Sequence, residues 1–521
     1  MLNVQSSSLD WALKHTLRFG DTDVLPTPFE YTAIQTAWSS VRSYLEKVDV
    51  LSWTVRAHRS LLAPKGRFAF RIITQLDPLD FLLYSAVIKE IAAEIEASRI
   101  TLDQQIVFSY RVRIDSDGQL FDPNIGYEHF LKRANDLSQK KQVTHVALAD
   151  IADFYNRIYH HRLEGALSAA TNKSNHVSAL MGLLSKWNGT ETFGIPVGNA
   201  PSRVLAEILL SDVDAALLSI KANFIRFNDD YRIFCANSAE GYRTIALLAE
   251  TLYRNHGLTL APQKTMVLTK EEFRERFCSS PQDREITSLT DKFEKIIDEL
   301  GLSDPYEEID YENLDDDQKE LVDSLNLAEL IKEEIKGKDI DFAVVKFVLR
   351  RMGQLGDDSH VDEVLDNLDH LYPAFPDIIE YLSSLRDLSK ARYHKIGSRV
   401  LGLLNSSLIS ELEYHRLWAL DLFTHGTQWN NENSFIPMLA AARDQFSRRK
   451  LILALGRAKQ RHWFQSQWRN LANESPWPRR ALLAGASCMT LDARKHWYKS
   501  VQSQLDELER AVVVWAKANP F

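Results

Sequence analysis

Runs of apolar residues, and the way polar residues interrupt them, predict a mixed first half and a helical second half. Residues up to about 51 read as helices broken at Pro26 and Pro28. From Pro64 to Ile73, basic residues alternate with aromatic and β-branched ones, the period of a strand. A helix from about Leu79 to Ala97 follows, with an apolar stripe of Leu82, Leu83, Ala86, Ile91 and Ile95. Ile106–Arg113 reads as a short strand before the turn Asp115-Ser116-Asp117-Gly118, and Tyr127–Ser138 reads as a helix. The run starting at Val143 is a buried-type strand that ends on Asp150. A Gly- and Pro-rich turn, Gly194–Arg203, opens a further helix. Phe224–Phe234 then reads as a hairpin with Asp229 and Asp230 at its tip, since Asn and Asp tolerate tight turns. After a helix from Ser238 to Asn255 come a glycine turn at Gly257, a short strand and Lys264.

Composition changes this picture little. The 521 residues are 45% hydrophobic, which is ordinary globular content and enough for two to four domains. The three cysteines, Cys235, Cys278 and Cys488, lack metal-ligand spacing and suit a reducing compartment. No window approaches a membrane span and the start carries no signal pattern, so a soluble cytoplasmic protein is expected. Charge is more informative. A net charge of -9 argues against a surface that grips long duplex, which needs a basic surplus. It is unevenly placed, with an acidic stretch from Asp291 to Asp341 and a basic one from Arg443 to Arg510.

Taken alone, Asn228-Asp229-Asp230 is an ordinary surface turn, Asp153 is a plausible helix cap, and Lys65, Arg67 and Arg71 form a solvated basic face. Their order carries more than any single piece. Asp150-Ile151-x-x-Phe154-Tyr155, Gly194-Ile195-Pro196-Val197-Gly198, Phe227-Asn228-Asp229-Asp230 and Lys264 follow one another as the motifs of a reverse-transcriptase palm do, and the stretch resembles that family. Phe227 and Asn228 depart from the usual Tyr-x-Asp-Asp pattern, and the aspartates are retained. The resemblance implies catalytic, metal-binding Asp150, Asp229 and Asp230 around two Mg²⁺ ions, with Mn²⁺ able to substitute. It also implies nucleotide contacts from Lys65, Arg67, Arg71 and Gly198, a sugar-sensing Tyr155, and Lys264 as a proton donor to the leaving pyrophosphate.

The remainder departs from a template-copying enzyme. No basic thumb follows Lys264, and the acidic run that takes its place reads as a solvated connector. Beyond it, Arg416-Leu417-Trp418, Arg449-Lys450-Leu451, Arg480-Ala481-Leu482 and Arg510-Ala511-Val512 recur at intervals of 33, 31 and 30 residues, the spacing of stacked helix pairs in a HEAT-like solenoid. Arg448, Arg449, Arg479, Arg480, Trp463 and Trp497 are candidates to line a single-stranded DNA path. The expected fold is therefore an α+β palm and fingers without a usual thumb, followed by an all-α repeat domain. Its segments are a helical stretch over 1–52, fingers and palm over 53–280, a connector over 281–340 and repeats over 341–521. The whole resembles bacterial abortive-infection polymerases of the AbiK type. That implies synthesis of DNA from dNTPs without a template, primed by a tyrosine with Tyr44 and Tyr31 as candidates, in a homo-oligomer (trimer or hexamer) that carries its own DNA product and acts in anti-phage defence. A template-dependent, retron-like reverse transcriptase and a catalytically silent scaffold are the alternatives.

Overall fold

The computed structural model describes residues 1–277, 315, 316, 319, 326–337 and 340–521. The connector expected over 281–340 lies largely outside these. The chain divides into two compact units. The first takes residues 1–31, 42–60 and 72–277 among those described, and the second takes 32–41, 61–71 and the described residues from 315 onward.

The chain begins with three helices, α1 (Ser6–Phe19), α2 (Glu30–Thr36) and α3 (Trp38–Leu45), in the segment where the two prolines predict breaks. The strands β1 (Arg59–Pro64) and β2 (Phe70–Gln75) form a two-stranded sheet, and the tip between them belongs to the second unit. Helix α4 (Pro78–Ser98) starts where Asp77 accepts a hydrogen bond from the Leu79 amide at 3.2 Å, with proline at the first position. It is buried along much of its length, from Leu79 through Ile88, beyond the one stripe that periodicity suggests.

Ile106–Arg113 does not form a strand. Tyr110 has a positive φ of 48°, which breaks the extended run, and Ser109 and Arg111 turn inward to polar partners. Only isolated bridges remain, from Val107 to Arg226 and from Val112 to Phe121. Helix α5 (Tyr127–Ser138) forms where the pattern places it. Then follow β3 (His145–Asp150), α6 (Phe154–Arg157), α7 (His160–Ala170), α8 (Ser174–Asn188), α9 (Ala200–Leu209), α10 (Ser211–Ser219), β4 (Phe224–Phe227), β5 (Asp230–Cys235), α11 (Ser238–Thr251), β6 (Met266–Thr269) and α12 (Lys270–Phe277). Asp153 precedes α6 in a left-handed conformation and makes no capping bond.

The four central strands form an antiparallel sheet in the order β4-β5-β3-β6. Alternation along them sorts side chains by face. Val146 and Leu148 of β3, with Phe234 of β5, join a core built with Phe130, Ala134 and Leu137 of α5 and Phe273 of α12. Each large side chain buried there contributes about 1.5–3 kcal/mol. On the opposite face α11 approaches closely through Gly241, where an added Cβ would stand 3.2 Å from the Val267 side chain and 3.6 Å from Ala147. The face carrying Val146 and Leu148 ends, at the next position of the same alternation, on Asp150.

In the second unit, helices Phe342–Leu355, Phe375–Ser384, Glu413–His425, Gln445–Arg457, Pro476–Gly485 and Glu507–Ala518 pack in succession, each on the next. The four recurring arginine segments fall in the last four of these helices. No helix among the described residues is long and apolar enough to cross a membrane.

Candidate active site

Asp150 is the last residue of β3 and stands opposite Asp230, the first residue of β5, in the antiparallel register. Asp229 lies between β4 and β5, and its carbonyl accepts from the Ile151 amide at 3.1 Å. The two-residue turn exists because Asn228 takes a positive φ of 54°, a conformation Asn accepts more readily than most residues. The hairpin thus brings the two adjacent carboxylates to the end of the strand that carries the third. Asn228 donates to the Asp229 carboxylate at 3.0 Å and accepts from the Tyr155 hydroxyl at 3.4 Å.

Lys264 sits in a 3₁₀ turn just ahead of β6, and its Nζ reaches the Asp150 carboxylate at 2.9 Å. Partial burial disfavours the Lys264 charge, but the bond to Asp150 and the charges of Asp150, Asp229 and Asp230 outweigh it and hold the ammonium above the usual lysine range. For Asp230 burial dominates and pushes the carboxyl up. Arg232, 3.8 Å away, opposes this, and the charge of Asp150 adds to it. Two carboxylates that face each other at the edge of an apolar core favour a cation between them.

Among the described residues no group of three His, Cys, Asp or Glu side chains closes on a common point. In this conformation Asp150 is engaged by Lys264 and Asp229 by Asn228. Mg²⁺ needs only one or two carboxylates, completing its shell with water and phosphate oxygens, so the donor set suits that ion in chemistry.

Beneath the turn lies a network that sequence reasoning missed. Arg226 of β4 is fully buried. It donates to Asp214 of α10 at 2.7 and 2.9 Å, to Glu207 of α9 at 3.0 Å and to the carbonyl of Asn228 at 3.0 Å. Glu207 also accepts from Arg99 at 2.6 Å and from the Ser109 hydroxyl, which in turn accepts from the Asn228 amide at 2.8 Å. Both backbone groups of Asn228 are therefore fixed from below. The one available signal was an arginine inside the apolar run Phe224-Ile225-Arg226-Phe227.

The other sequence-chosen residues fall in different places. Gly198 has a φ of 97°, and a Cβ there would lie 2.7 Å from the Thr22 hydroxyl and 3.1 Å from Asp23. Tyr31 is buried, whereas Tyr44 is 39% exposed, its ring edge against Trp53. Lys65, Arg67 and Arg71 belong to the second unit, where Arg67 donates to His370 at 3.1 Å. In that unit Arg448 pairs with Glu474, and Arg479 pairs with Glu509 at 2.6 Å. Arg449 and Arg480 are buried and direct their guanidinium groups over the Trp477 ring at 5.1 and 4.5 Å. Trp497 is buried and donates to the Phe464 carbonyl at 3.0 Å, and Trp463 packs edge-on against Phe464. These side chains tie neighbouring helices together.

Solved structures similar to this chain include telomerase from Candida tropicalis in complex with a TWJ fragment of telomeric RNA, at 12% identity and a TM-score of 0.33, covering 70% of this chain and 66% of that one. Apo telomerase from Candida tropicalis is similar at 11% identity and a TM-score of 0.32, covering 74% and 73%. Telomerase from Candida albicans in complex with a TWJ fragment is similar at 13% identity and a TM-score of 0.31, covering 77% and 67%. The chain thus spans just under two thirds of the first of these. No curated protein matches it. Residues 70–292, which hold all three aspartates and Lys264, match the family model described as reverse transcriptase (RNA-dependent DNA polymerase).

Proposed function

We propose that the protein polymerises deoxynucleotides at the Asp150–Asp229–Asp230 end of its central sheet. The observation that carries this reading is the register that sets Asp150 opposite Asp230, with Asp229 beside it and Lys264 on Asp150. Divalent ions held by these carboxylates would supply the positive charge that activates an attacking hydroxyl and balances the departing pyrophosphate. The chain's own residues do the rest. Lys264 offsets the negative charge of the three aspartates and would give a proton to the pyrophosphate, a role its bond to Asp150 supports. Arg226 and Ser109 hold the turn on which Asp229 and Asp230 depend. Tyr155, bonded to Asn228 beside the carboxylates, would sense the sugar, a role its bond to the catalytic turn supports.

The reading extends to protein-primed synthesis without a template, in anti-phage defence, by an oligomer that keeps its single-stranded product attached. It rests on the resemblance of the whole chain to abortive-infection polymerases. Of the two candidate primers, Tyr44 has the exposed ring. The discriminating experiment incubates the purified full chain with dNTPs and Mg²⁺, with and without an RNA template and primer, and follows label by gel and by mass spectrometry of tyrosine peptides. Label on the protein without template, lost in Asp230→Asn, is the expected result. Product that forms only with template and primer selects templated reverse transcription, the second reading, which the match to an RNA-dependent DNA polymerase family favours. Synthesis unaffected by Asp230→Asn would sink both.

A further inference from the structure

Two arginines stand near the catalytic turn, and they are used differently. Arg226 has its guanidinium enclosed by two carboxylates and a carbonyl. Arg203, on the first turn of α9, makes one hydrogen bond, to the Asp23 carboxylate at 2.6 Å, and lies over the Tyr110 ring at 5.0 Å. Its remaining N–H groups have no protein acceptor among the described residues. A guanidinium presents paired donors that match a phosphate two at a time, so Arg203 offers an unfilled fork.

That fork belongs to the active site. The Tyr110 ring packs 5.9 Å from Phe227, the residue that leads into the catalytic turn. The charges of Arg203 and Asp229 both act on the Tyr110 and Tyr155 phenols, which burial keeps protonated.

Asp23 is a weakly held occupant. Its side chain is 50% exposed, and a pair of this kind contributes little. It rides on the segment from Gly20 to Leu25, which rests on the Gly194–Asn199 loop through a bond from the Asp23 amide to the Gly198 carbonyl at 3.1 Å. The missing side chain of Gly198 makes room for this contact, because a Cβ there would collide with Thr22 and Asp23. The loop expected to meet the nucleotide is thus covered by a segment that carries a carboxylate onto the nearest available cation.

We propose that Arg203 is a phosphate-binding residue of this site and that Asp23 occupies it until a substrate phosphate takes its place. The proposal rests on the polymerase reading for the source of the phosphate, which is either the triphosphate of a nucleotide or the phosphodiester of a growing strand. The chemistry is the same for both. Two N–H groups of one guanidinium bond two oxygens of one phosphate, and the Asp23 carboxylate returns to solvent.

Calorimetric titration of the full chain tests this with inorganic tripolyphosphate, dATP and a twelve-residue oligothymidylate, all without divalent ions. Arg203→Gln is expected to weaken binding at least tenfold, and Arg203→Lys, which keeps the charge and loses the fork, about threefold or more. Asp23→Asn, which removes the competitor, is expected to tighten binding about threefold or more and to lose that gain in combination with Arg203→Gln. Sensitivity to tripolyphosphate and dATP assigns the nucleotide, and sensitivity to the oligonucleotide alone assigns the strand. Arg203→Gln and Arg203→Lys binding all three probes like the parent would overturn the phosphate site. Asp23→Asn binding no tighter would overturn the role of Asp23, and since it leaves Arg203 in place it is informative even where Arg203→Gln does not fold. Because binding is read without synthesis, the result stands apart from the Asp230→Asn test of the polymerase reading.

Discussion

Replacing Arg226 with leucine leaves the buried Asp214 without the cation that faces it and takes one of two from the buried Glu207, which keeps Arg99. Breaking a buried pair from one side costs about 3–5 kcal/mol, so Arg226→Leu is expected to lower the denaturant midpoint by that equivalent and to abolish synthesis. Arg226→Lys keeps charge without the fork and is expected to fall between the two. A second residue sets a pH dependence. Burial raises the Asp21 carboxyl to about 7, against the bond from Gln75 and the charge of Arg59, with the charge of Glu30 adding to the rise. The unfolded carboxyl titrates near pH ~4. An acid whose folded pKa is the higher one contributes stability that is fully present below the unfolded value and lost as pH rises through the folded value. The loss is on the order of a few kcal/mol between pH ~4 and ~7. Urea unfolding at pH 5 and pH 8 should show it, and Asp21→Asn should flatten the difference. A steep dependence that survives in Asp21→Asn would contradict this assignment.

At the scale of elements, the β4–β5 hairpin depends on one left-handed residue. Asn228→Gly keeps that conformation and loses the bonds to Asp229 and Tyr155, whereas Asn228→Val also adds about 1–2 kcal/mol of backbone strain. Synthesis rates are expected in the order parent, Gly, Val. Equal rates for the two variants would mean that the turn's conformation is not limiting. This hairpin was legible in the sequence because its signals are local: apolar strands on both sides of turn-forming residues. Helix α5 and the apolar strand that delivers Asp150 were legible for the same reason. Ile106–Arg113 was misread as a strand because Ser109, Tyr110 and Arg111 answer to distant partners. The network was hidden likewise, for Arg99 and Glu207 meet across 108 positions and nothing near either residue announces the other. The helical character of the second half was readable from its apolar pattern, while the engagement of its arginines with Glu474, Glu509 and Trp477 depends on helix packing.

For the whole molecule, 62 basic residues stand against 71 acidic ones, and the basic segment near the C-terminus has several of its arginines engaged internally. These arginines hold partners within the protein and do not displace counterions from a polyanion. Binding of a labelled single strand, measured by anisotropy between 50 and 200 mM salt, is therefore expected to show a shallow slope, about −1 to −2 in log–log form at ~0.7 per neutralised phosphate. A slope steeper than about −4 would reveal a basic track that these ion pairs do not suggest.

The tip of the β1–β2 hairpin clusters with the second unit, where Arg67 meets His370 across 303 positions of sequence. On a ribosome moving at about 5–20 residues per second, the tip is made roughly 15–60 s before that partner exists. The base of the hairpin can pair at once within the first unit, but the tip must wait. Leu61 and Ala63, which are buried in the folded protein, then stay uncovered on a nascent chain for longer than most local folding takes. Order of synthesis thus becomes a vulnerability of this fold: the stretch 61–71 is where a chaperone, or a protease in limited digestion of stalled chains, is expected to engage first.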